Sequence, residues 1–181
     1  MRFIHCADIH LDSPLRGLEF YDGAPAEEMR HATRRAFANV VDLAIDRAAD
    51  FVLIAGDIFD GDWPDFNTGL YFASQLRRLA DADIRVFLIH GNHDAVSKLT
   101  KSVPLPRNVF SFPANRPATE VIESLGVAIH GQSFASESVT TDLSAAYPAP
   151  HAGLLNIGLL HTALSGREGH QPYAPTSADR L

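Results

Sequence analysis

The stretch FVLIAGDIFD, residues 51–60, decides how this chain folds. Its first five residues are apolar and rich in β-branched and aromatic side chains, which is the pattern of a strand buried on both faces of a sheet. Gly56 and Asp57 follow at once. Because ligands collect beyond the carboxyl ends of parallel strands in open α/β sheets, this stretch predicts a central strand that presents Asp57 to a site.

Polar residues also follow three other apolar runs, at residues 3–7, 86–89 and 154–160. The clusters that follow them are Asp8-Ile9-His10, Gly91-Asn92-His93-Asp94 and His161. Each cluster alone is typical of a loop residue that caps the next helix. Four such clusters, each directly after a predicted strand, favour one shared site instead.

The side chains of these clusters share one kind of donor chemistry. They are carboxylates, imidazoles and a carboxamide, with no thiolate among them. This set suits divalent ions such as Mn, Fe or Zn and is a poor fit for copper(I) or iron–sulfur clusters. Two carboxylates about 4 Å apart repel each other by about 4 kcal/mol at a moderate dielectric constant. A bound cation removes that repulsion, so the clusters predict a metal site.

Four stretches also resemble the motifs of a known family: CADIHLDSPL at 6–15, AGDIFDG at 55–61, HGNHDAVSK at 90–98 and GLLHTALSG at 158–166. The family is that of the calcineurin-like metallophosphoesterases, and the chain is most similar to its bacterial SbcD-like and YhaO-like DNA repair exonuclease branch. The resemblance implies an α/β fold, a sandwich of two mixed β-sheets flanked by helices. It also implies a hydrolase that cleaves phosphodiesters with the help of two divalent metal ions.

The resemblance assigns the metal ligands residue by residue. Asp8 and His10 hold one metal, Asn92 and His161 hold the second, and Asp57 bridges the two. The ions are expected to be Mn²⁺, with Fe, Zn and Mg as alternatives. Two-metal sites of this kind clamp the attacking and leaving oxygens of an in-line displacement at phosphorus, with a two-metal-activated hydroxide as the nucleophile.

The same resemblance gives catalytic roles to two further residues. His93 is the general acid that protonates the leaving oxygen, and Asp60 is the partner that orients its ring. An imidazole suits this task because its reference pKa lies close to neutral pH.

The chain departs from the family pattern in one respect. The family closes its site with a G-H-x-H motif that supplies one more imidazole to each metal, and no such motif follows an apolar run here. The segment GHQP at 169–172 has Pro172 in place of the second histidine and is interpreted as a loop. We therefore expect residues 1–181 to be one metallophosphoesterase (nuclease) domain that is C-terminally incomplete and lacks its last strands, with weakened metal binding and activity.

The composition fits one domain with a sizeable core, since 46% of the 181 residues are hydrophobic and 20% are charged. The net charge of -7 argues against a nucleic-acid binder, because phosphate contacts usually need a basic surface. Bound metals would offset part of this charge. Arg34 and Arg35 lie in a predicted helix and are interpreted as part of a solvated face. A role in DNA binding therefore rests on the family resemblance.

No apolar run approaches the length of a membrane span, and the single Cys6 cannot form an internal disulfide. We therefore expect a cytoplasmic protein without membrane contact. The family branch implies DNA as the substrate, an ATPase partner subunit of the SbcC type, and a homodimer. Two alternatives to a DNA repair exonuclease or endonuclease stay open: a small-molecule phosphodiesterase or phosphatase, and a non-catalytic binding or scaffold module.

The remaining segments predict helices and a second sheet. Apolar residues at helical spacing predict helices over 26–48 and 67–81. Short apolar runs at 119–122 and 127–130 predict a hairpin-like pair of strands in a second sheet. The tail from Ser165 onward has no pattern that would fix it, and we expect it to be poorly ordered.

Overall fold

The computed structural model describes residues 1–13, 26–60, 65–97, 103–164 and 173–181. The segment 169–172, interpreted above as a loop, lies outside these residues. The helices and strands of the described part, in chain order, are β1 (Phe3–Cys6), α1 (Ala26–Asp46), β2 (Phe51–Ala55), α2 (Phe66–Asp81), β3 (Arg85–Ile89), α3 (Asn92–Val96), β4 (Val109–Ser111), β5 (Ala118–Ile122), β6 (Val127–Gly131) and β7 (Leu155–Leu159).

The first sheet has the strand order β1-β2-β3-β4, and every neighbouring pair is parallel. All residues of β2 are buried, as its continuous apolar run predicted. Its register places Leu53 between His5 of β1 and Phe87 of β3. Because the strands are parallel, the carboxyl ends of β1, β2 and β3 meet at one edge of the sheet. Asp8, Asp57 and Asn92 follow these three strands at that edge, whereas His161 follows β7, which belongs to another sheet.

Helices α1 and α2 cover one face of this sheet. The side chains alternate along β2, so that Val52 and Ile54 face the helices while Phe51 and Leu53 face the opposite side. The helices contribute apolar residues at helical spacing, and these pack on the sheet as one core: Phe37, Val41, Ala44, Phe72, Leu76 and Leu79. The two helices predicted from the sequence are therefore confirmed, with ends at Asp46 and Asp81.

The second sheet has the order β5-β6-β7, with β5 and β6 antiparallel and β6 and β7 parallel. Its inner residues, such as Val127 and Ile129, pack against Phe51 and Phe87 of the first sheet in a second core. The hairpin-like pair is confirmed. The described strands thus form a parallel sheet and a mixed sheet packed face to face, in agreement with the predicted α/β sandwich.

The described end of the tail differs from expectation, because residues 173–176 are held in place. Ala174 is fully buried, and its N–H donates to the carbonyl of Val139 at 2.6 Å. Thr176 forms a short parallel bridge with Leu164 and donates its hydroxyl to Asp142 at 2.9 Å. These contacts are to residues distant in sequence, so no local sequence pattern predicted them. Among the described helices, none is both long and apolar enough to cross a membrane.

Candidate metal centre

The loops after β1 and β2 are joined by their backbones at the edge of the first sheet. The N–H of Asp8 donates to the carbonyl of Gly56 at 3.1 Å, and the N–H of His10 donates to the carbonyl of Asp57 at 3.0 Å. Asp8, His10 and Asp57 all have left-handed backbone angles, with φ of 51°, 43° and 50°. Such conformations cost of order 1–3 kcal/mol each for residues other than glycine and cluster at functional sites. The fold therefore holds these loops in a strained arrangement.

One group of ligand atoms belongs to Asp8, Asp57 and His161, which all lie within 4.8 Å of one another. Nε2 of His161 is 3.4 Å from Oδ2 of Asp57 and 3.1 Å from Oδ1 of Asn92. The other ring nitrogen, Nδ1, lies 2.9 Å from the carbonyl of Ala55. A carbonyl only accepts hydrogen bonds, so Nδ1 carries the proton and Nε2 keeps its lone pair when the ring is neutral. His161 thus offers Nε2 as a ligand beside two oxygen donors.

A second group consists of His10, Asp60 and His93, whose ligand atoms also lie within 4.8 Å. Oδ1 of Asp60 is 2.7 Å from Nδ1 of His10 and 3.3 Å from Nδ1 of His93. The two rings meet edge to face with centroids 5.2 Å apart. The hydrogen bond from His10 is the first cause that holds the pKa of Asp60 down at about 2. Asp60 therefore contacts both imidazoles, and its shorter contact is to His10 rather than to His93.

Asp57 lies between the two groups and is buried. Its Oδ2 is 3.4 Å from Nε2 of His161 and 3.9 Å from Nε2 of His10, while its Oδ1 accepts the backbone N–H of His93 at 3.1 Å. Burial alone would raise the pKa of this carboxyl, but the hydrogen bond and charge of the protonated His161 ring, together with the N–H of His93, keep it below its ordinary value. The carboxylate is therefore ionised and faces nitrogen donors on both sides.

The ligand atoms of the two groups are of the kinds that bind divalent metal ions. Carboxylate, imidazole and carboxamide donors converge on one small volume, and both histidines beside Asp57 have Nδ1 occupied by an oxygen acceptor. Such outer contacts fix the orientation and tautomer of metal-binding histidines. The structure thus brings the predicted site residues together in two groups, with Asp57 of the first group also facing His10 of the second.

Asp94 joins the loops beneath the site, and no role for it followed from the sequence. Its carboxylate is fully buried and accepts the N–H groups of Ile58 at 3.0 Å, Phe59 at 2.9 Å and Gly91 at 2.9 Å. Burial raises its pKa to about 6, against the effect of these hydrogen bonds. Asp94 ties the loop after β2 to the loop after β3, which carry Asp57 and Asn92. A carboxylate in the first turn of a short helix was the only signal for it.

Two aromatic rings pack against His161 and were also missed. The ring of Tyr173 stacks on the imidazole with centroids 5.3 Å apart and planes 21° apart. Phe134 meets the same imidazole edge to face at 5.5 Å. Tyr173 belongs to the tail whose order was not expected. Together with the Ala55 carbonyl, these rings fix the orientation of His161.

Comparison with known proteins agrees with this geometry. The sequence model described as calcineurin-like phosphoesterase matches residues 1–168. The chain is 32% identical to the metallophosphoesterase YhaO of Bacillus subtilis (strain 168), over all of this chain and 45% of the relative.

Two archaeal relatives carry the name DNA double-strand break repair protein Mre11. The one from Archaeoglobus fulgidus is 34% identical over 70% of this chain and 28% of the relative. The one from Methanococcus maripaludis is 32% identical over 58% of this chain and 26% of the relative. The chain thus spans less than half the length of these curated relatives. Because the family match covers residues 1–168, the chain belongs to the calcineurin-like phosphoesterase family, as its motifs predicted.

Proposed function

We propose that this chain carries a two-metal site for the hydrolysis of phosphodiesters, with DNA as the substrate class and Mn²⁺ as the preferred ion. The family implies divalent metal ions. The observation that carries the proposal is the position of Asp57, whose Oδ2 faces Nε2 of both His10 and His161 at 3.9 and 3.4 Å. A single carboxylate flanked in this way is suited to bridge two cations.

The ligands divide between the two sides of Asp57. As the family pattern implies, Asp8 and His10 would hold one ion, and Asn92 and His161 would hold the other. The carboxylate of Asp8 also lies within 4.8 Å of the ligand atoms of Asp57 and His161. Bound there, the ions would supply Lewis acidity and orient the phosphate for in-line displacement. The protein contributes the fixed geometry, because the backbone and ring contacts described above set each donor before a ligand arrives.

His93 is the proposed proton donor to the leaving oxygen. Its backbone N–H is fixed on Asp57 at 3.1 Å, while its side chain is 44% exposed and therefore open to a substrate. Asp60 lies 3.3 Å from Nδ1 of this ring, so Nδ1 keeps its proton toward Asp60 while the doubly protonated ring would donate its Nε2 proton to the leaving oxygen. Asp60 would thus serve two histidines, since it orients His10 as a ligand and His93 as an acid.

DNA as the substrate is supported by the names of the Mre11 relatives and opposed by the net charge of -7. The same proposal includes an ATPase partner subunit, a homodimer and a cytoplasmic location for the whole protein. A small-molecule phosphodiester is the competing substrate. The substrate classes can be ranked by comparing turnover rates at one Mn²⁺ concentration. The substrates compared are a duplex oligonucleotide, a single strand and a cyclic nucleotide.

The experiment that tests the mechanism compares two leaving groups. A DNA strand departs as an alkoxide that needs a proton, whereas p-nitrophenolate is stable as an anion and does not. We expect His93→Ala to slow DNA hydrolysis by about 10²–10⁴-fold and to slow bis(p-nitrophenyl) phosphate hydrolysis far less, with Mn²⁺ binding retained. His151→Ala, at an exposed histidine of the 147–154 loop, serves as the matched control.

Three results would contradict parts of the proposal. Equal losses on both substrates would remove the acid role from His93. Turnover of small phosphodiesters without DNA cleavage would replace the substrate class. Metal binding without turnover of any ester would favour the non-catalytic module.

A further inference from the structure

An ion pair between a buried carboxylate and a partly exposed arginine lies just beyond the two ligands of the first loop. Asp12 is 4% exposed, and its carboxylate accepts from Nε of Arg34 on α1 at 2.8 Å (Oδ1) and 3.0 Å (Oδ2). Nη2 of Arg34 contacts Oδ2 as well. The hydroxyl of Thr68 on α2 donates to Oδ2 at 2.6 Å. The carboxylate is therefore held from both helices in bidentate geometry, which is the strong form of this interaction.

Further contacts fix the partners of this pair. The N–H of Asp12 donates to the hydroxyl of Thr33 on α1 at 3.1 Å. The guanidinium of Arg34 lies over the ring of Tyr71, 5.0 Å from its centroid, and the Tyr71 hydroxyl donates to the Arg34 carbonyl at 2.6 Å. Arg34 was interpreted from the sequence as part of a solvated face, and the structure shows instead that it is bound on several sides.

The described segment from Asp8 to Asp12 needs to be held. Asp8, His10 and Asp12 all have left-handed φ, at 51°, 43° and 56°. This conformation is unfavourable for L-residues other than glycine, so an unrestrained loop would leave it. On one side the loop is fixed by backbone hydrogen bonds to residues 56–58. On the other side Leu11 is fully buried in the core, and Asp12 binds side chains of both helices.

We propose that Asp12 and Arg34 are positioning residues, which hold the loop so that Asp8 and His10 point at the metal centre. The inference rests on the proposed two-metal function and goes beyond it, because neither residue touches the donor groups. It predicts an uneven effect: loss of the pair weakens the side of the site formed by Asp8 and His10, while the side formed by Asn92 and His161 keeps its ligands.

The chain offers a matched control for a merely structural role. Asp42 of α1 and Arg78 of α2 form a second ion pair, which joins the same two helices away from the loop. Their side chains are 50% and 42% exposed, against 5% for Asp12. If the Asp12–Arg34 pair only tied the helices to the rest of the fold, changing either pair would leave the loop amides and the metal centre alone.

The test compares Arg34→Met, Arg34→Lys and Asp42→Asn with the unchanged chain in two measurements. The first is hydrogen exchange without metal at the amides of Asp8, His10 and Leu11, which donate to carbonyls of residues 56–58. We expect exchange at least about tenfold faster in Arg34→Met, a smaller effect in Arg34→Lys, and none in Asp42→Asn. The Ala49 amide, bonded to Ala44, reports any global loosening.

The second measurement is calorimetric titration with Mn²⁺ alone, at a temperature where every variant is folded. We expect Arg34→Met to weaken one of two binding events by about 10–100-fold, the range found for residues that support metal ligands. If Arg34→Met fails to fold, Thr68→Val takes its place, with Thr68→Ser as the variant that keeps the hydroxyl and restores both readouts.

The outcomes separate this inference from the proposed function. Loop amides as protected in Arg34→Met as in the unchanged chain would overturn the inference, and so would a loosened loop with both Mn²⁺ affinities unchanged. An unchanged chain that binds no Mn²⁺ would overturn the proposed function. Faster exchange confined to the loop would then still support positioning of Asp8 and His10.

Discussion

Gly91→Ala is the substitution whose effect is most directly worked out from the structure. The backbone at Gly91 has φ of −85° and ψ of −169°, which an alanine adopts without strain. An added Cβ, however, would lie 2.7 Å from the N of Asp57 and 2.9 Å from its Cγ, and closer still to its Oδ1. The obstacle is thus Asp57, through both its carboxylate and its backbone N, and not the backbone conformation of Gly91.

The size of the effect follows from the space required. Non-bonded carbon contacts settle near 3.5–4.0 Å, so Asp57 would have to move by about 1 Å. Overpacking of this kind costs about 1–3 kcal/mol of unfolding free energy. For a chain of this length that lowers Tm by about 2–12 °C. A displacement of about 1 Å at a reacting centre can also cost about 100-fold in rate.

The assay pairs thermal unfolding without metal with Mn²⁺ titration of the folded protein. Gly158→Ala on β7 is the control, because an added Cβ there meets only Tyr147 at 3.9 Å. We expect Gly91→Ala to lower both Tm and Mn²⁺ affinity, and Gly158→Ala to change neither. If Gly91→Ala melts and binds Mn²⁺ like Gly158→Ala, Asp57 does not occupy the position on which the account depends.

Two further predictions concern residues around the site. Tyr173→Ala should weaken Mn²⁺ binding by about 2–13-fold in calorimetry, because an aromatic pair contributes about 0.5–1.5 kcal/mol. Tyr173→Phe keeps the ring on His161 and should bind Mn²⁺ like the unchanged chain. If Tyr173→Ala also binds Mn²⁺ like the unchanged chain, the stack does not support His161. Burial lowers the pKa of His90 to about 4, against about 6.5 in an unfolded chain. As pH falls from about 6.5 to about 4 the unfolded state takes up this proton first, so stability should drop by up to about 3 kcal/mol. Urea unfolding of His90→Gln at pH 7 and pH 4.5 should show a smaller drop than the unchanged chain, and a drop of the same size would contradict this account.

The parts of the fold that the sequence predicted are those with a local physical signal. The run Phe51–Ala55 is uniformly apolar, which is typical of a central strand in a sheet that is covered on both faces. Helix α2 repeats its apolar residues at helical spacing, and Ala73, Leu76 and Leu79 are buried as this spacing predicts. Leu70 fits the same spacing but is exposed. The clusters after β1, β2 and β3 meet at one edge because these strands are parallel neighbours. His161 follows β7 of the second sheet, so its position depends on how the two sheets pack.

The parts that were missed depend on contacts between residues far apart in the chain. Tyr173 is held beside His161 by long-range hydrogen bonds, such as those from the Ala163 N–H to its own carbonyl and from the Ala174 N–H to Val139. No periodicity marks that segment. Asp60 contacts the imidazoles of both His10 and His93, at distances that differ by less than 1 Å. The spacing of residues along a sequence does not predict differences of that size.

Arg34 was missed for a related reason. A lone arginine on an amphipathic helix usually faces solvent, and only the tertiary structure places Asp12 beside it. The sequence thus predicts which residues lie near the site, whereas the contacts between their side chains are seen only in the folded structure.

The most direct test of the central claim is a calorimetric Mn²⁺ titration of this chain beside Asp57→Asn. Asparagine has the shape of aspartate but lacks its charge, so the fold should survive while the proposed bridge is lost. The account predicts saturable Mn²⁺ binding by the unchanged chain and its loss in Asp57→Asn, with both proteins folded by circular dichroism. Binding of equal affinity by the two proteins, or no binding by the unchanged chain, would contradict a metal centre built around Asp57.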